Sequence, residues 1–275
     1  IGNSNPLFWF KTPHIWDSAV DEEGIAAKNM RIPDYKLIPI HKGVWELKIS
    51  LDSNWLDNAV YPVFIDPTLE LQPDASEGFD TSIYQYFPNN NYGGSTSIFI
   101  RNHYSRTYKG LLKFSGLDAI PGGSTINSAT LSLYCISANN NSISPRKALT
   151  EWAENEATWN IPKSGGSWNT AGGTEGVDYA DSGDSQALSG SQWSNFDVKN
   201  EVQDWANGED NYGLFLVWTA GTEYQSSVYS SDIYSVNPSI CPKLVVEYET
   251  SGGLSLGKFG IIAGRGAISP IATGG

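Results

Sequence analysis

The stretch "NSATLSLYCIS", residues 127–137, decides the fold class of this chain. Its apolar residues alternate with polar ones, which places Ala129, Leu131, Leu133 and Cys135 on one face of an extended strand. A period of two predicts a β-strand with one buried face, because successive side chains of a strand point to opposite sides. We therefore expect a sheet that packs on a core through this face.

Short runs of the same kind recur along the chain, separated by Gly, Asn and Pro segments such as "PNNNYGG", "IPGGS" and "KSGGS", which are typical of turns. Many short strands broken by turns predict an all-β protein, a jelly-roll β-sandwich. The further runs are "TSIYQYF" (81–87), "STSIFIRN" (95–102), "KGLLKFSGL" (109–117), "YGLFLVWTA" (212–220), "QSSVYSSD" (225–232) and "PKLVVEYE" (242–249).

One segment, "DVKNEVQDWANG" (197–208), has helical character instead. Val198, Val202 and Trp205 recur at helical spacing, Asp197 can cap the start, and Gly208 can end the helix. We expect one short helix within the sandwich.

Three regions follow along the chain. Residues 1–68 form a small β-rich segment with the period-two runs "GVWELKISLD" and "AVYPVFIDP", joined by "SNWLDN" as a turn or one helical turn. Residues 69–249 hold the jelly roll, and residues 250–275 form a glycine-rich tail, a linker or a docking strand. Because the tail is apolar in part, residues 251–275 could add a strand to a neighbouring subunit.

Composition excludes several classes of protein. The formal net charge is −13, and nucleic-acid binding needs clustered Lys and Arg, so we expect no nucleic-acid partner. No stretch approaches the ~20 apolar residues of a membrane span, which argues against membrane insertion. Two cysteines, Cys135 and Cys241, exclude a disulfide-rich scaffold, and either two buried thiols or one bridge would fit them.

Five blocks follow one another across about residues 69–249: "DTSIYQYFPNNNYGGSTSIFI", "RTYKGLLKFSGLDAIPGGSTINSATLSLY", "EWAENEATWN", "WSNFDVKNEVQDWANGEDNYGLFLVW" and "CPKLVVEYE". In this order they resemble the disaggregatase-related (DNRLRE) domain. That family is similar to a carbohydrate-binding module found beside polysaccharide lyases. The resemblance implies a non-catalytic jelly roll that binds polysaccharide, in an extracellular, cell-surface or virion setting. "WLDNAVYPVFIDPT" resembles the lead-in of wall-associated, Rhs-like and phage-type surface proteins.

The block "TEWAENEATWN" (150–160) places Glu151, Glu154 and Glu156 between two tryptophans, which could offer the acid pair of a glycosidase. Only one acid, Glu154, falls among the positions that match the family pattern, so we favour a structural corner in which the tryptophans are buried and Glu154 accepts hydrogen bonds. The matching positions are Trp152, Glu154, Thr158, Trp159 and Asn160.

Aromatic rings with neighbouring amides are the residue types that bind sugars, because ring faces stack on the apolar faces of pyranoses. The sequence suggests Tyr84, Tyr86, Tyr92, Trp168 and Tyr224 as ligand-binding residues, although most aromatic residues of a β-protein belong to its core.

A structural calcium ion is the one cofactor that the acidic loops suggest, since calcium prefers oxygen ligands. Asp178, Asp181 and Asp184 recur every third residue, and Asp74, Glu77 and Asp80 form a second cluster. Solvated loop acids are the competing interpretation for each cluster.

Three hypotheses result. We favour a non-enzymatic surface or adhesion module that binds polysaccharide. The alternative is a structural subunit of an assembly, such as a phage decoration or tail-associated protein or a surface filament. A glycoside-cleaving enzyme is a remote alternative, which would require two of the glutamates to face an open cleft.

Overall fold

The computed structural model describes residues 9–10, 14–17, 31–41, 44–60, 64–66 and 68–249. The predicted tail, residues 250–275, and its docking on a neighbouring subunit therefore lie outside the described residues. The described strands are β1 (Trp9–Phe10), β2 (His14–Trp16), β3 (Asp34–His41), β4 (Val44–Ser50), β5 (Phe64–Asp66), β6 (Thr68–Leu71), β7 (Gly78–Tyr84), β8 (Ser97–Ile100), β9 (Tyr108–Phe114), β10 (Thr125–Ser137), β11 (Ser142–Lys147), β12 (Gln186–Ala187), β13 (Trp193–Asp197), β14 (Leu214–Ala220), β15 (Ser226–Tyr229) and β16 (Lys243–Glu249).

The described chain divides into two units. The smaller lies within residues 15–65, where β3 pairs antiparallel with β4 and β2 pairs with β5. The segment "SNWLDN", expected to be a turn or one helical turn, is the short helix α1 (Ser53–Asn58). The Asp52 carboxylate caps it by accepting from the Asn54 N–H at 2.9 Å.

The larger unit contains residues 68–249 together with β1, and it is built from two antiparallel sheets. One sheet runs β1-β6-β16-β10-β15-β8, with β13 pairing with β10 beside β15, and the other runs β12-β11-β14-β9-β7. The prediction of an all-β sandwich is confirmed, while the jelly-roll order of its strands stays a prediction.

Alternation in the sequence places the core between the sheets. Leu131, Leu133 and Cys135 of β10 are fully buried and share one cluster with Leu112 of β9 and Leu216 of β14. The face predicted from the opening stretch is therefore the core face of the seven-stranded sheet.

The outer face of the five-stranded sheet carries a second core. Leu111 and Phe215, which alternate with core residues of the first cluster, pack here beneath the long connection 148–185. The connection supplies Trp152, Trp168 and Tyr179 to this cluster. A stretch with little regular structure thus covers one face of the sheet and supplies its missing apolar layer.

The predicted helix is confirmed as α2 (Lys199–Ala206). Val198 precedes it as the cap residue, but the Asp197 carboxylate accepts from the Lys199 N–H at 2.9 Å. Val202 is buried against the first core, and Gly208 at φ +102° follows the helix end as expected. Neither α1 nor α2, among the described helices, has the length and apolarity to cross a membrane.

The sequence left open whether Cys135 and Cys241 are two buried thiols or one disulfide bridge. In the structure both are free, buried thiols. Burial raises the pKa of the Cys135 thiol to about 11. The thiol therefore stays protonated and acts as a small apolar group of the core.

Candidate functional site

The corner "TEWAENEATWN" lies in the connection that covers the five-stranded sheet. Trp152 is buried in the second core, and its Nε1–H donates to the Tyr212 carbonyl at 2.7 Å. Because both its ring and its donor are engaged, Trp152 anchors the corner to the strand that follows Tyr212.

The three glutamates of the corner have different surroundings. Glu154 is partly buried and its Oε1 accepts from the backbone N–H of Asp80 at 2.9 Å. Burial raises the pKa of Glu154. Glu151 is exposed and ion-pairs with Lys163, and exposed Glu156 accepts from the Ser164 N–H at 2.7 Å.

The last residues of the corner turn the chain and fix its neighbours. Thr158 Oγ1 accepts from the N–H groups of Asn160 and Ile161, each at 3.2 Å. The Trp159 ring lies against Gly172, where an added Cβ would come within 2.4 Å of the ring and where φ is +87°. Glycine at 172 is therefore required by both space and backbone conformation.

The corner also holds the turn segment "PNNNYGG", residues 88–94. The Asn160 N–H donates to the Pro88 carbonyl at 3.1 Å, and its Nδ2 donates to Asn89 Oδ1 at 2.7 Å. Asn91 Nδ2 in return donates to the carbonyls of Glu154 and Ala157, at 2.6 and 2.9 Å. This turn is thus fixed by hydrogen bonds that involve two of the family-pattern residues.

Aromatic rings cluster where this turn meets β7 and β9. Tyr84 stacks on Tyr108 with 3.7 Å between ring centroids, and Tyr86 lies 6.2 Å from Tyr84. Phe87 contacts both Tyr84 and Tyr86, at 5.7 and 4.9 Å, and Tyr92 lies 6.5 Å from Tyr108. We call these five rings the tyrosine face.

Two rings of the tyrosine face are open to solvent. Tyr86 is 52% exposed and Phe87 is 49% exposed, whereas Tyr84 beneath them is buried. Burial raises the pKa of the Tyr108 phenol, and the nearby Tyr84 raises it further, so the phenol stays neutral. The result is a rigid base of stacked rings with two exposed aromatic side chains above it.

Basic groups lie beside the tyrosine face, although the chain as a whole is acidic. The Arg106 guanidinium lies 5.0 Å from the centroid of the Tyr86 ring, a cation–π distance. Arg101 Nε donates to the Glu223 carbonyl at 2.7 Å, which joins this region to the loop that carries Tyr224. Arg106 thus brings positive charge to the exposed Tyr86 ring, and Arg101 links the backbone of Tyr108 to the loop that carries Tyr224.

Tyr224 is presented by a loop whose backbone is fixed on both sides. Its N–H donates to Thr222 Oγ1 at 3.3 Å and its carbonyl accepts from Asn141 Nδ2 at 2.7 Å, while its side chain is 72% exposed. A fixed backbone lowers the entropy that an exposed ring loses when it contacts a ligand.

Comparison with known families supplies the decisive observation. Residues 75–247, more than half of the chain, match the model of carbohydrate-binding module family 96. The chain belongs to carbohydrate-binding module family 96. Membership indicates carbohydrate binding as the function, and modules of this kind are typically non-catalytic. A comparison with curated proteins gives no match.

The family 96 module does not expose every residue that the sequence suggested for ligand binding. Tyr84, Tyr86 and Tyr92 come together in the tyrosine face, and Tyr224 is exposed on its own loop. Trp168 does not join them, because it is only 5% exposed, packs on Phe215 in the second core, and donates from Nε1 to the Thr158 carbonyl at 2.9 Å. This placement corrects the expectation that the Trp168 ring is available to a ligand.

The three aspartates suggested for calcium do not converge. Asp178 is buried and saturated by protein donors, including the N–H groups of Asn169 and Thr174. Asp184 accepts from the Asp197 N–H at 3.0 Å, and Asp181 is exposed. Among the described residues the carboxylates that do come within one ion's reach are those of Asp80, Glu154 and Asp232.

Two grooves flank Phe79 and Lys113, residues that the sequence reasoning did not single out. One, of about 460 Å³, also includes Trp205 of α2 among its lining residues, and the other, of about 370 Å³, includes Glu154 and Glu156. The Lys113 ammonium lies 4.7 Å from the centroid of the Phe79 ring. The sequence signal for this pairing was weak, because Phe79 and Lys113 become neighbours only through the register of β7 on β9.

Proposed function

We propose that this family 96 module binds polysaccharide at the tyrosine face without cleaving it. The observation that carries the proposal is the pair of exposed rings, Tyr86 and Phe87, which lie against buried Tyr84, and Tyr84 in turn stacks on the partly buried Tyr108. Aromatic faces pack against the apolar C–H faces of sugar rings, and a pre-formed site lowers the entropic cost of binding.

Polar groups around the rings can bind the hydroxyl groups of a sugar. The exposed Asn89 and Asn90 follow Phe87 after Pro88, and Arg106 brings a guanidinium to the Tyr86 ring. Amide and guanidinium groups beside an aromatic platform give a sugar site its orientation and specificity. Tyr224, on the loop joined to Arg101, supports an extension of the site along a polymer.

The contacts of the glutamates support a non-catalytic module. Glu154 and Glu156 both line one groove, as a glycosidase would require, but a carboxylate oxygen of each accepts from a backbone N–H, of Asp80 and of Ser164. These bonds give both carboxylates a structural role in the corner. The module should therefore release no reducing ends from a polysaccharide that it binds.

The setting that we propose is outside the cell, on a cell surface or on a virion. Many polysaccharides lie outside the cell, in walls, capsules and matrices, and the acidic, turn-rich composition is compatible with that setting.

Affinity electrophoresis in gels that contain neutral glucans, mannans or polyuronates tests the proposal. Tyr86→Ala and Tyr224→Ala should each retain the fold and lose about tenfold in affinity, as expected for the loss of about 1.4 kcal/mol of stacking. Trp193→Ala is the matched control, because Trp193 is 37% exposed on β13, in the other sheet.

Unchanged affinity in both tyrosine variants, with loss in the Trp193 variant, would move the site to the outer face of the seven-stranded sheet. Binding to none of the polymers would refute the proposed function. A reducing-end assay on the bound polymer tests the non-catalytic part separately, since turnover that Glu154→Gln abolishes would identify an enzyme.

A further inference from the structure

Three carboxylates from distant parts of the chain meet at one end of β7. Asp80 lies on β7, Glu154 in the corner, and Asp232 in the 3-10 turn Ser231–Ser235 that follows β15. One oxygen of each lies within 4.8 Å of the others. Three like charges repel one another at this distance, so such a cluster needs a compensating group.

Asp80 is the centre of the cluster and is only 1% exposed. Its Oδ2 accepts from both the N–H and the hydroxyl of Ser231 at 2.7 Å, but its Oδ1 is buried without a donor. Asp232 Oδ2 is likewise buried and has no donor in the described structure. Buried polar atoms of a folded protein are nearly always hydrogen-bonded, and an exception indicates an ion or water that satisfies them.

We propose that Asp80, Glu154 and Asp232 bind a calcium ion. The available ligand atoms are all carboxylate oxygens, which suit a hard cation, and calcium tolerates the irregular geometry that three separate segments provide. The site is reached from outside, because Asp232 and Ser231 line a shallow depression of about 540 Å³ and Glu154 lines the groove beside Phe79. Water from these openings completes the coordination.

Burial also governs the electrostatics of the cluster. Burial raises the pKa of Asp80 to about 7, and burial also raises the pKa of Glu154 and of Asp232. Each carboxylate is thus held in an environment that disfavours its charged form. A bound divalent cation would stabilise all three charges at once.

The position of the site gives the ion a structural task. Glu154 is 74 residues from Asp80 in sequence, and Ser231, which precedes Asp232, is 151 residues from Asp80. A calcium ion at this point would therefore join β7, the corner and the 3-10 turn. This inference does not depend on where, or whether, the module binds polysaccharide.

The test uses the full chain, treated with a chelator and then titrated with calcium, while the thermal midpoint is followed by circular dichroism. At a calcium concentration about one hundred times the dissociation constant, the midpoint should rise by about 5 to 10 °C. Glu154→Gln and Asp232→Asn should remove most of this rise. Asp181→Asn is the matched control, since it removes one exposed carboxylate from the acidic segment 178–184 and should leave the rise intact.

Calorimetric titration with calcium gives a second readout that does not depend on thermal stability. One ion should bind per chain to the unaltered protein, and magnesium should bind more weakly. Loss of binding in Asp181→Asn, with binding kept in Asp232→Asn, would place the ion in the other acidic segment. No binding to the unaltered chain would overturn the proposal and leave a protonated Asp80 as the way the cluster is neutralised.

Discussion

Replacement of Trp168 separates a core role from a ligand-binding role. The residue is 5% exposed, its ring centroid lies 5.5 Å from that of Phe215, and its Nε1–H donates to the Thr158 carbonyl. Truncation of a buried Trp to Ala costs about 3 to 5 kcal/mol, and the unpaired carbonyl adds about 1 kcal/mol. For a unit of this size a total loss of about 4 to 6 kcal/mol lowers the thermal midpoint by about 8 to 24 °C.

Urea unfolding of the full chain, followed by far-ultraviolet circular dichroism, measures this loss. Trp168→Phe keeps an aromatic ring but removes the donor and part of the ring volume, so its free energy of unfolding should fall by about 1 to 3 kcal/mol, less than for Trp168→Ala. Polysaccharide affinity of folded Trp168→Phe should equal that of the unaltered chain. A stable Trp168→Phe variant that loses tenfold or more in affinity would refute the core assignment and restore Trp168 as a ligand-binding ring.

Three further predictions concern the corner and its surroundings. Asn160→Ala should lower polysaccharide affinity about threefold to tenfold while the free energy of unfolding changes by less than about 1 kcal/mol, because the turn beside the tyrosine face loses an anchor; equal affinity on the gels would contradict this. In millimolar calcium, Glu154→Gln should lower the free energy of unfolding by about 1 to 3 kcal/mol, and the control Glu156→Gln should lower it by less than about 0.5 kcal/mol. In the presence of a chelator the Glu154→Gln effect should be smaller, because removal of one charge then relieves repulsion within the cluster. Burial lowers the pKa of Lys109 to about 8 from 10.5, so between these two pH values the unfolded state binds more protons than the folded state, and the free energy of unfolding should rise with pH. Urea unfolding at pH 8, 9 and 10 should show this rise relative to Lys109→Met, and equal slopes in the two proteins would exclude it.

The strands that could be predicted are those whose alternation is strong. The run 127–137 becomes β10, with Leu131 and Leu133 in the core, because burial of one face fixes both the strand and its register. The helix α2 could also be predicted from the sequence, since Val202 marks its buried face and Gly208 marks its end.

Other strands carry no such signal. β11 has the sequence "SISPRK" and includes Pro145, which lacks a ladder donor. It forms through its partner β14, where Pro145 lies opposite Leu216, while β12 pairs only with Ser142 and Ile143. Such a strand is set by tertiary pairing rather than by local preference.

The candidate sites show the same limit. Trp168 and Tyr224 both lie in polar, turn-rich segments, yet Trp168 is buried and Tyr224 is exposed. Only Trp168 faces the apolar outer side of the five-stranded sheet. The cluster of Asp80 with Asp232 depends on contacts across about 150 residues. A single sequence records the residue types but not these approaches.

The place of β16 in the sheet has a consequence for folding. β16 is the last described strand of the chain, yet it pairs with β6 on one side and with β10 on the other. Until residues 243–249 leave the ribosome, both partners present unpaired edges, and a nascent chain cannot close the seven-stranded sheet. Folding should therefore be slow and late, and a chain cut before residue 243 should aggregate through those two edges rather than form a smaller sandwich.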